Sequence, residues 1–340
     1  MPLIDLGKTM QVIYVEQRIY HHPRTQNLLE RLGREKTVIQ CEHYREIFNR
    51  KAQSFKMQKQ HPALIIAEKP GSRVLPTPPG FGIGGQHNYY FSHLLNCPYD
   101  CRYCFLQGMY QSAHYVLFIN YEDFQQDITS VLNSHPNETV TFFSGYDADS
   151  LAFNSRTQFV EHFIPFFRDH PRALLELRTK SANITALLKQ DPIPNAVVAF
   201  SLTPHDISQQ VEHRVPVLTQ RLQAMRQLQL AGWRIGLRFD PLIYCDDFES
   251  LYAELFSQVF SVVDPSGIHS VSTGLLRFPE KMYQKIVAMY PNDTLLAHPL
   301  EVDRKVMSYS KTREVAMLGW VHDQLAQYVP DTCIFKCSVD

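Results

Sequence analysis

From residue 88 to about residue 300, short apolar runs alternate with longer stretches whose apolar positions recur every three or four residues. Continuous apolar runs of four to nine residues predict strands buried on both faces, and the three-to-four spacing predicts helices that bury one face. After a first strand at 89–94, the strand candidates are 140–143, 174–179, 196–200, 235–239 and 268–276. Helical spacing fills the intervals at 124–132, 158–167, 184–188, 218–230 and 248–262. Repeated strand-helix units imply a parallel sheet with right-handed crossovers, because parallel neighbours need a long connection and the connecting helix covers the sheet.

The flanks are patterned differently. In the first part, 11–15 reads as a strand, 25–32 as a helix with Leu28, Leu29 and Leu32 on one face and a stop at Gly33, and 62–67 as a second apolar patch. The Pro- and Gly-rich stretch 69–85 is expected to be a connector. Its glycines invite a phosphate-loop reading, but the lysine and Ser/Thr of that motif are absent and the segment leads into a strand. The expected organisation is an N-terminal extension (1–85) packed on a core (86–300), followed by a tail (301–340). That tail holds an amphipathic helix to about residue 328 and a short strand with Cys333 and Cys337 as apolar fillers.

With 340 residues, 44% of them hydrophobic and 20% charged, the chain can bury a substantial core. Its net charge of −1 gives no global pull toward nucleic acid, so a DNA contact has to come from a local patch. Arg304, Lys305, Lys311 and Arg313, with Tyr309 among them, read either as phosphate contacts with a base-stacking ring or as a solvated helix face. No charged and then apolar leader opens the chain, and no apolar run reaches the roughly 18 residues of a membrane span. A cytoplasmic protein without membrane contact is expected, and seven cysteines, an odd number, suit a reducing compartment.

The chemistry concentrates in Cys97-Pro-Tyr-Asp-Cys101-Arg-Tyr-Cys104, directly after the first strand. Three thiolates within eight residues suit an iron–sulfur cluster, and a [4Fe–4S] cube with three cysteine ligands leaves one iron open. The competing readings are buried free thiols or a zinc knuckle, for which His93 is the one nearby fourth ligand. The C-x3-C-x2-C spacing, with Tyr103 just before the third cysteine, resembles the radical S-adenosylmethionine (radical SAM) superfamily. That resemblance implies an α/β fold, the partial (β/α)6 barrel, with SAM chelated at the open iron and ligands gathered at the C-terminal strand ends.

Within that superfamily the chain is similar to the spore photoproduct lyase family. The similarity is carried by the cysteine motif running into Phe105-Leu-Gln107, then Arg178-Thr-Lys180, Phe200-Ser201, Glu212 with Pro216 and Arg221, Pro241-Leu-Ile, and Arg277-Phe278. The resemblance implies a lyase that uses the cluster and SAM to form a 5′-deoxyadenosyl radical and repairs a thymine lesion in DNA. It further implies an electron donor such as flavodoxin or ferredoxin. By position, Tyr103 lies near the adenine and in the hydrogen-atom path, and Lys180 and Ser201 reach the carboxylate or ribose of SAM; the plain reading of Lys180 is an exposed strand-end lysine. Asp147 and Asp149 are candidates for the ribose hydroxyls.

Three positions depart from the family pattern. The family carries a hydrogen-donor cysteine after the second strand, where this chain has Tyr146, and a second tyrosine where it has Phe105. Either Tyr146 donates the hydrogen atom, or Cys245, just past the fifth strand, reaches in, or the substrate differs; the plain reading of Tyr146 is a packing aromatic. Asp240 replaces a small residue and is assigned to SAM, to the neighbours of Arg238, or to a polar group of the substrate. Two alternatives to repair stand beside it: a radical SAM reaction on another nucleic acid or a peptide, and a non-catalytic damage-binding protein with a structural cluster.

Overall fold

In the computed structural model, which describes residues 10–337, the apolar runs pair into one curled sheet. Its order is Val74–Pro76, His87–Phe91, Val140–Phe143, Ala173–Thr179, Ala196–Ser201, Arg234–Leu242, Ile268–Leu275 and Ile334–Lys336. Every neighbouring pair is parallel except the first. Val140–Phe143 and Ala196–Ser201 are buried at every position, which is why they read as unbroken apolar runs. The intervening helices bury one stripe each: Phe124, Ile128 and Leu132 on Tyr121–Ser134, and Phe159, Phe163 and Phe167 on Phe159–Arg168. Leu218–Leu230 and Phe248–Val262 do the same. The result is the expected partial barrel.

Two features were outside the sequence pattern. The first predicted strand is split: His87–Phe91 belongs to the barrel, whereas Leu94–Leu95 leaves it for a second sheet. That sheet has the order Thr37–Cys41, Val12–Glu16, Leu64–Ala67, Tyr115–Phe118, Leu94–Leu95, so it ties the N-terminal segment to the chain entering the cysteine motif. Thr37–Cys41 escaped notice because it is an edge strand exposed at every position but Cys41 and shows no alternation. The second feature is Ile334–Lys336, which joins the barrel beside Ile268–Leu275 with Val271 opposite Ile334 and Thr273 opposite Lys336. A short strand was expected in the tail and six strands in the barrel; this strand makes a seventh parallel one, and its three residues carry no signal of which neighbour they join.

A charged brace crosses the barrel interior. Arg238 donates to Glu176 at 2.8 Å and to the Ser270 carbonyl at 2.9 Å, while Arg178 donates to Glu176 at 2.9 Å. Glu176 and Arg238 are wholly buried. Burial acts to raise the Glu176 carboxyl, but the two guanidinium groups outweigh it and hold it down at about 2. Removing one member of such a pair strands a buried charge, so Glu176→Ala is expected to destabilise the fold by about 3–5 kcal/mol, read as a lower urea midpoint.

Candidate active site

The cysteine loop is built by polar contacts that act before any metal is considered. Asn96 turns the chain at φ 66°, a conformation asparagine tolerates, and its amide donates to the Ser112 and His114 carbonyls at 2.8 Å each. Asp100–Cys101 then pairs antiparallel with Glu212–His213, and Arg102 N–H donates to the Val211 carbonyl at 2.8 Å. Asp100 accepts from Arg102 at 2.7 Å, from Gln107 at 2.8 Å and from Lys59. The loop is thus clamped on both sides of Cys101.

Cys97, Cys101 and Cys104 face a cavity of about 430 Å³ at the C-terminal ends of the barrel strands. Residues from the other strand ends complete its wall: Tyr146, Lys180, Ser201, Asp240, Arg277 and Cys337. All three motif cysteines are free. Burial pushes each thiol up, and for Cys97 the Asp149 carboxylate adds to it. Such sulfurs become thiolates only when a metal supplies the compensating charge. One zinc ion at 2.3 Å from each sulfur would hold the three about 3.8 Å apart. Among the described residues they are not a group whose ligand atoms all lie within 4.8 Å of one another, so they are not closed around a single ion. His93, the zinc candidate, is buried and stacked on Phe159 at 3.9 Å, and burial lowers it to about 3. The group that does close within 4.8 Å, His87, His135 and Glu138, sits at the N-terminal ends of the strands, away from the cavity.

One buried carboxylate organises the wall beside the cysteines. Glu212 accepts from Arg221 at 3.0 Å, Ser208 at 2.6 Å, Thr203 at 3.1 Å and the Tyr103 hydroxyl. Arg221 also donates to the Ser201 carbonyl at 2.9 Å, and the Lys180 ammonium stands 3.8 Å from Glu212 and 5.5 Å from the centre of the Tyr103 ring. Tyr103, Lys180 and Ser201, spread over a hundred residues, therefore meet around one anion.

Residues 84–324 match the family model described as spore photoproduct lyase. The chain belongs to the spore photoproduct lyase family. The spore photoproduct lyase of Geobacillus sp. (strain Y412MC61) is 23% identical over 202 residues, 58% of this chain and 59% of that protein, so the match spans less than two thirds of that relative. That of Bacillus subtilis (strain 168) is 20% identical over 293 residues, 84% of this chain and 83% of that protein. A solved spore photoproduct lyase complexed with dinucleoside spore photoproduct shares the fold at TM-score 0.84 and 15% identity, covering 99% of each chain. A mutant of the lyase with bound AdoMet and the same dinucleoside gives 0.83 at 16%, covering 97% of this chain and 99% of that one.

Not every residue singled out in this spore photoproduct lyase family member reaches the cavity. Asp149 lines it, but one carboxylate oxygen accepts from Thr179 and two backbone amides and the other from Lys180 N–H at 2.6 Å; these contacts shape the strand end and leave little capacity for a ribose. Asp147 is not on the wall; it is buried, accepting from Ser92 and from Tyr110 at 3.4 Å. Cys245 is not on the wall either, because past Leu242 the chain turns outward, with Ile243 N–H donating to Tyr252 and Tyr244 N–H to Tyr309, each at 2.9 Å. That last bond also buries Tyr309, so it is a packing residue and no exposed stacking platform.

Tyr146 does face the cavity, packed among Tyr90 at 4.4 Å, Phe81 at 5.6 Å and Phe105 at 5.6 Å. Asp240 pairs with Arg277 at 3.1 Å and not with the neighbours of Arg238. Their approach uses Gly274, where a Cβ would stand 2.6 Å from Asp240 and 2.8 Å from Arg277. Cys337, expected to fill the last strand, lies on the wall instead, accepting from Arg277 at 3.2 Å. The sequence placed it on a short final strand, but which neighbour that strand joins, and so which face the thiol meets, is set by pairing with Ile268–Leu275.

The pH dependence of Glu212 follows from its partners. Burial works to raise its carboxyl, but Arg221 and Lys180 outweigh burial and hold it at about 2. A depressed carboxyl contributes stability that is fully present above its ordinary value of 4.5 and is lost as pH falls toward 2. Glu212→Gln is expected to lower the urea midpoint at pH 7 and to flatten its decline between those two values, as a pH series of denaturation curves would record.

Proposed function

We propose that this protein is a radical SAM lyase that repairs the methylene-bridged thymine dimer of DNA, restoring two thymines. The observation that carries the reading is the meeting of three free cysteines with Tyr103, Lys180 and Ser201 around one cavity at the strand ends, in a chain of this family. The solved relatives whose names record AdoMet and dinucleoside spore photoproduct support the same cofactor and lesion here.

Cys97, Cys101 and Cys104 would hold a [4Fe–4S] cluster. Bound beside SAM, that cluster supplies a radical at the adenosyl 5′ carbon able to abstract hydrogen from the substrate. The chain's own residues do the rest. Lys180 presents an ammonium suited to the SAM carboxylate, with Glu212 and Tyr103 fixing its approach. Ser201 offers a hydroxyl, and Asp149 holds the Lys180 backbone in place. Tyr103 stays a neutral phenol, since burial and Glu212 both raise it, and it donates to Glu212. Phe81, Phe105, Met109 and Leu275 give the cavity an apolar wall that excludes water.

A base stacked in a duplex cannot enter such a cavity, so the lesion is read flipped out. Beside the mouth, Glu301–Asp303 and Val306–Ser308 form a hairpin whose turn is Arg304-Lys305, both exposed, and Val306 lines the cavity. We assign this basic tip to the phosphates flanking the lesion. Among the described residues no helix is long and apolar enough to cross a membrane. A reducing cytoplasm and an electron donor such as flavodoxin or ferredoxin suit the cluster.

The test is anaerobic reconstitution with iron and sulfide, then dithionite, SAM and synthetic dinucleoside spore photoproduct, with thymidylyl-thymidine and 5′-deoxyadenosine measured together. Both products are expected, and Cys101→Ala should abolish both. 5′-Deoxyadenosine without repair would point to another substrate, and neither product would point to a non-catalytic role. For the hairpin, Arg304→Ala is expected to weaken binding to lesion-containing duplex and to reduce the slope of log K against log salt by about 1, independent of sequence.

A further inference from the structure

If the reaction proposed above passes through a carbon radical on the opened thymine, that radical needs one hydrogen atom, and the cavity wall must hold the group that gives it. We infer that Cys337, carried in by the last strand, is the hydrogen-atom donor of this enzyme; the inference rests on the repair reading.

Four observations converge on this residue. Cys337 is the one thiol outside the cluster motif among the described residues that line the cavity. Its backbone N–H donates to the Thr273 carbonyl at 2.8 Å, which continues the parallel pairing of Ile334–Lys336 with Ile268–Leu275 and fixes where the side chain starts. Arg277 donates to its sulfur at 3.2 Å and pairs with Asp240 at 3.1 Å, so an ion pair braced over Gly274 sets its rotamer. Burial, reinforced by Asp240, pushes the thiol up to about 11, so at neutral pH the sulfur carries the hydrogen it must give. Arg277 and Arg178 act the other way without reversing the outcome.

Tyr146 is the competing donor on the same wall, but it sits in a box of three rings. Thiols also transfer hydrogen to carbon radicals faster than phenols do, because the polarisable sulfur lowers the barrier.

The step balances simply. The S–H bond of Cys337 breaks homolytically, a C–H bond forms on the thymine methyl carbon, and a sulfur-centred radical remains. One electron from the low-potential donor that also reduces the cluster, with one proton from solvent, restores the thiol.

The test runs wild type, Cys337→Ala, Cys337→Ser, Tyr146→Phe and Cys245→Ala as reconstituted enzymes in D2O with dithionite, SAM and dinucleoside spore photoproduct. Because a thiol exchanges with solvent, wild type is expected to place deuterium in the restored methyl group. Both Cys337 variants should still release 5′-deoxyadenosine but lose repair by about tenfold or more, with Cys245→Ala repairing as wild type does. Repair at the wild-type rate by Cys337→Ala, or loss in Tyr146→Phe alone, overturns the inference.

A second readout needs no cluster. In the cluster-free protein, dinucleoside spore photoproduct should slow iodoacetamide labelling of Cys337 and leave Cys41 unchanged, as peptide mass spectrometry reports; equal labelling of Cys337 with and without it counts against the residue. Should wild type release 5′-deoxyadenosine but repair nothing, the substrate reading is what fails. Deuterium in 5′-deoxyadenosine formed in D2O without substrate then decides for Cys337: present in wild type and absent in Cys337→Ala supports it, and equal content in both overturns it.

Discussion

The buried pair of Glu212 and Arg221 is the constraint on which the catalytic end of the molecule depends. Both side chains are fully buried, so the pair is tolerated only because nearly every polar atom has a partner: Ser208, Thr203 and Tyr103 on the carboxylate, the Ser201 carbonyl on the guanidinium. Ser201, Thr203 and Ser208 come from the segment leading into Glu212, whereas Tyr103 comes from the cysteine loop more than a hundred residues earlier. The same short segment, Glu212–His213, pairs with Asp100–Cys101, so the anion that positions Tyr103 and Lys180 also anchors the middle cysteine by main-chain hydrogen bonds. The cysteine loop and the wall that holds Glu212 are therefore tied together directly.

Around that unit the partial barrel supplies directionality. Because its strands run parallel, their C-terminal ends all face one side, and one residue or two from each end suffice to line a cavity. The charges there are distributed unevenly. On one side Lys180 faces Glu212; on the other Asp240 faces Arg277, with Arg178 close by. The aromatic rings of Phe81, Phe105 and Tyr146 line the same cavity and pack on one another. A cavity of this kind separates a polar, charged side from an apolar side that excludes water.

The fold also relocates groups that family pattern alone would leave unassigned. The position after the second strand holds a tyrosine, yet a thiol appears on the same wall from the far end of the chain. It arrives because the C-terminal segment, after the helix Lys311–Leu325, returns to the barrel edge as a strand instead of ending on the surface. Burial keeps that thiol protonated, since a buried S–H beside a carboxylate resists ionisation.

Much of this architecture was legible in the order of residues. Unbroken apolar runs such as 140–143 and 196–200 are strands buried on both faces, and the spacing of Leu222, Met225 and Leu228 is a helix stripe, because local periodicity follows from which face meets the core. The three cysteines were equally plain, since ligands close in sequence carry their geometry with them. Tertiary structure decided the rest. Lys180 and Ser201 look like ordinary strand-end residues until Glu212 and Arg221 fold beside them, and Asp147 and Cys245 look available until Ser92 and the turn toward Tyr252 draw them off the wall. Cys337 could be placed only once a three-residue edge strand had chosen its neighbour, because pairing across more than sixty residues is set by packing and main-chain hydrogen bonding that no local pattern encodes.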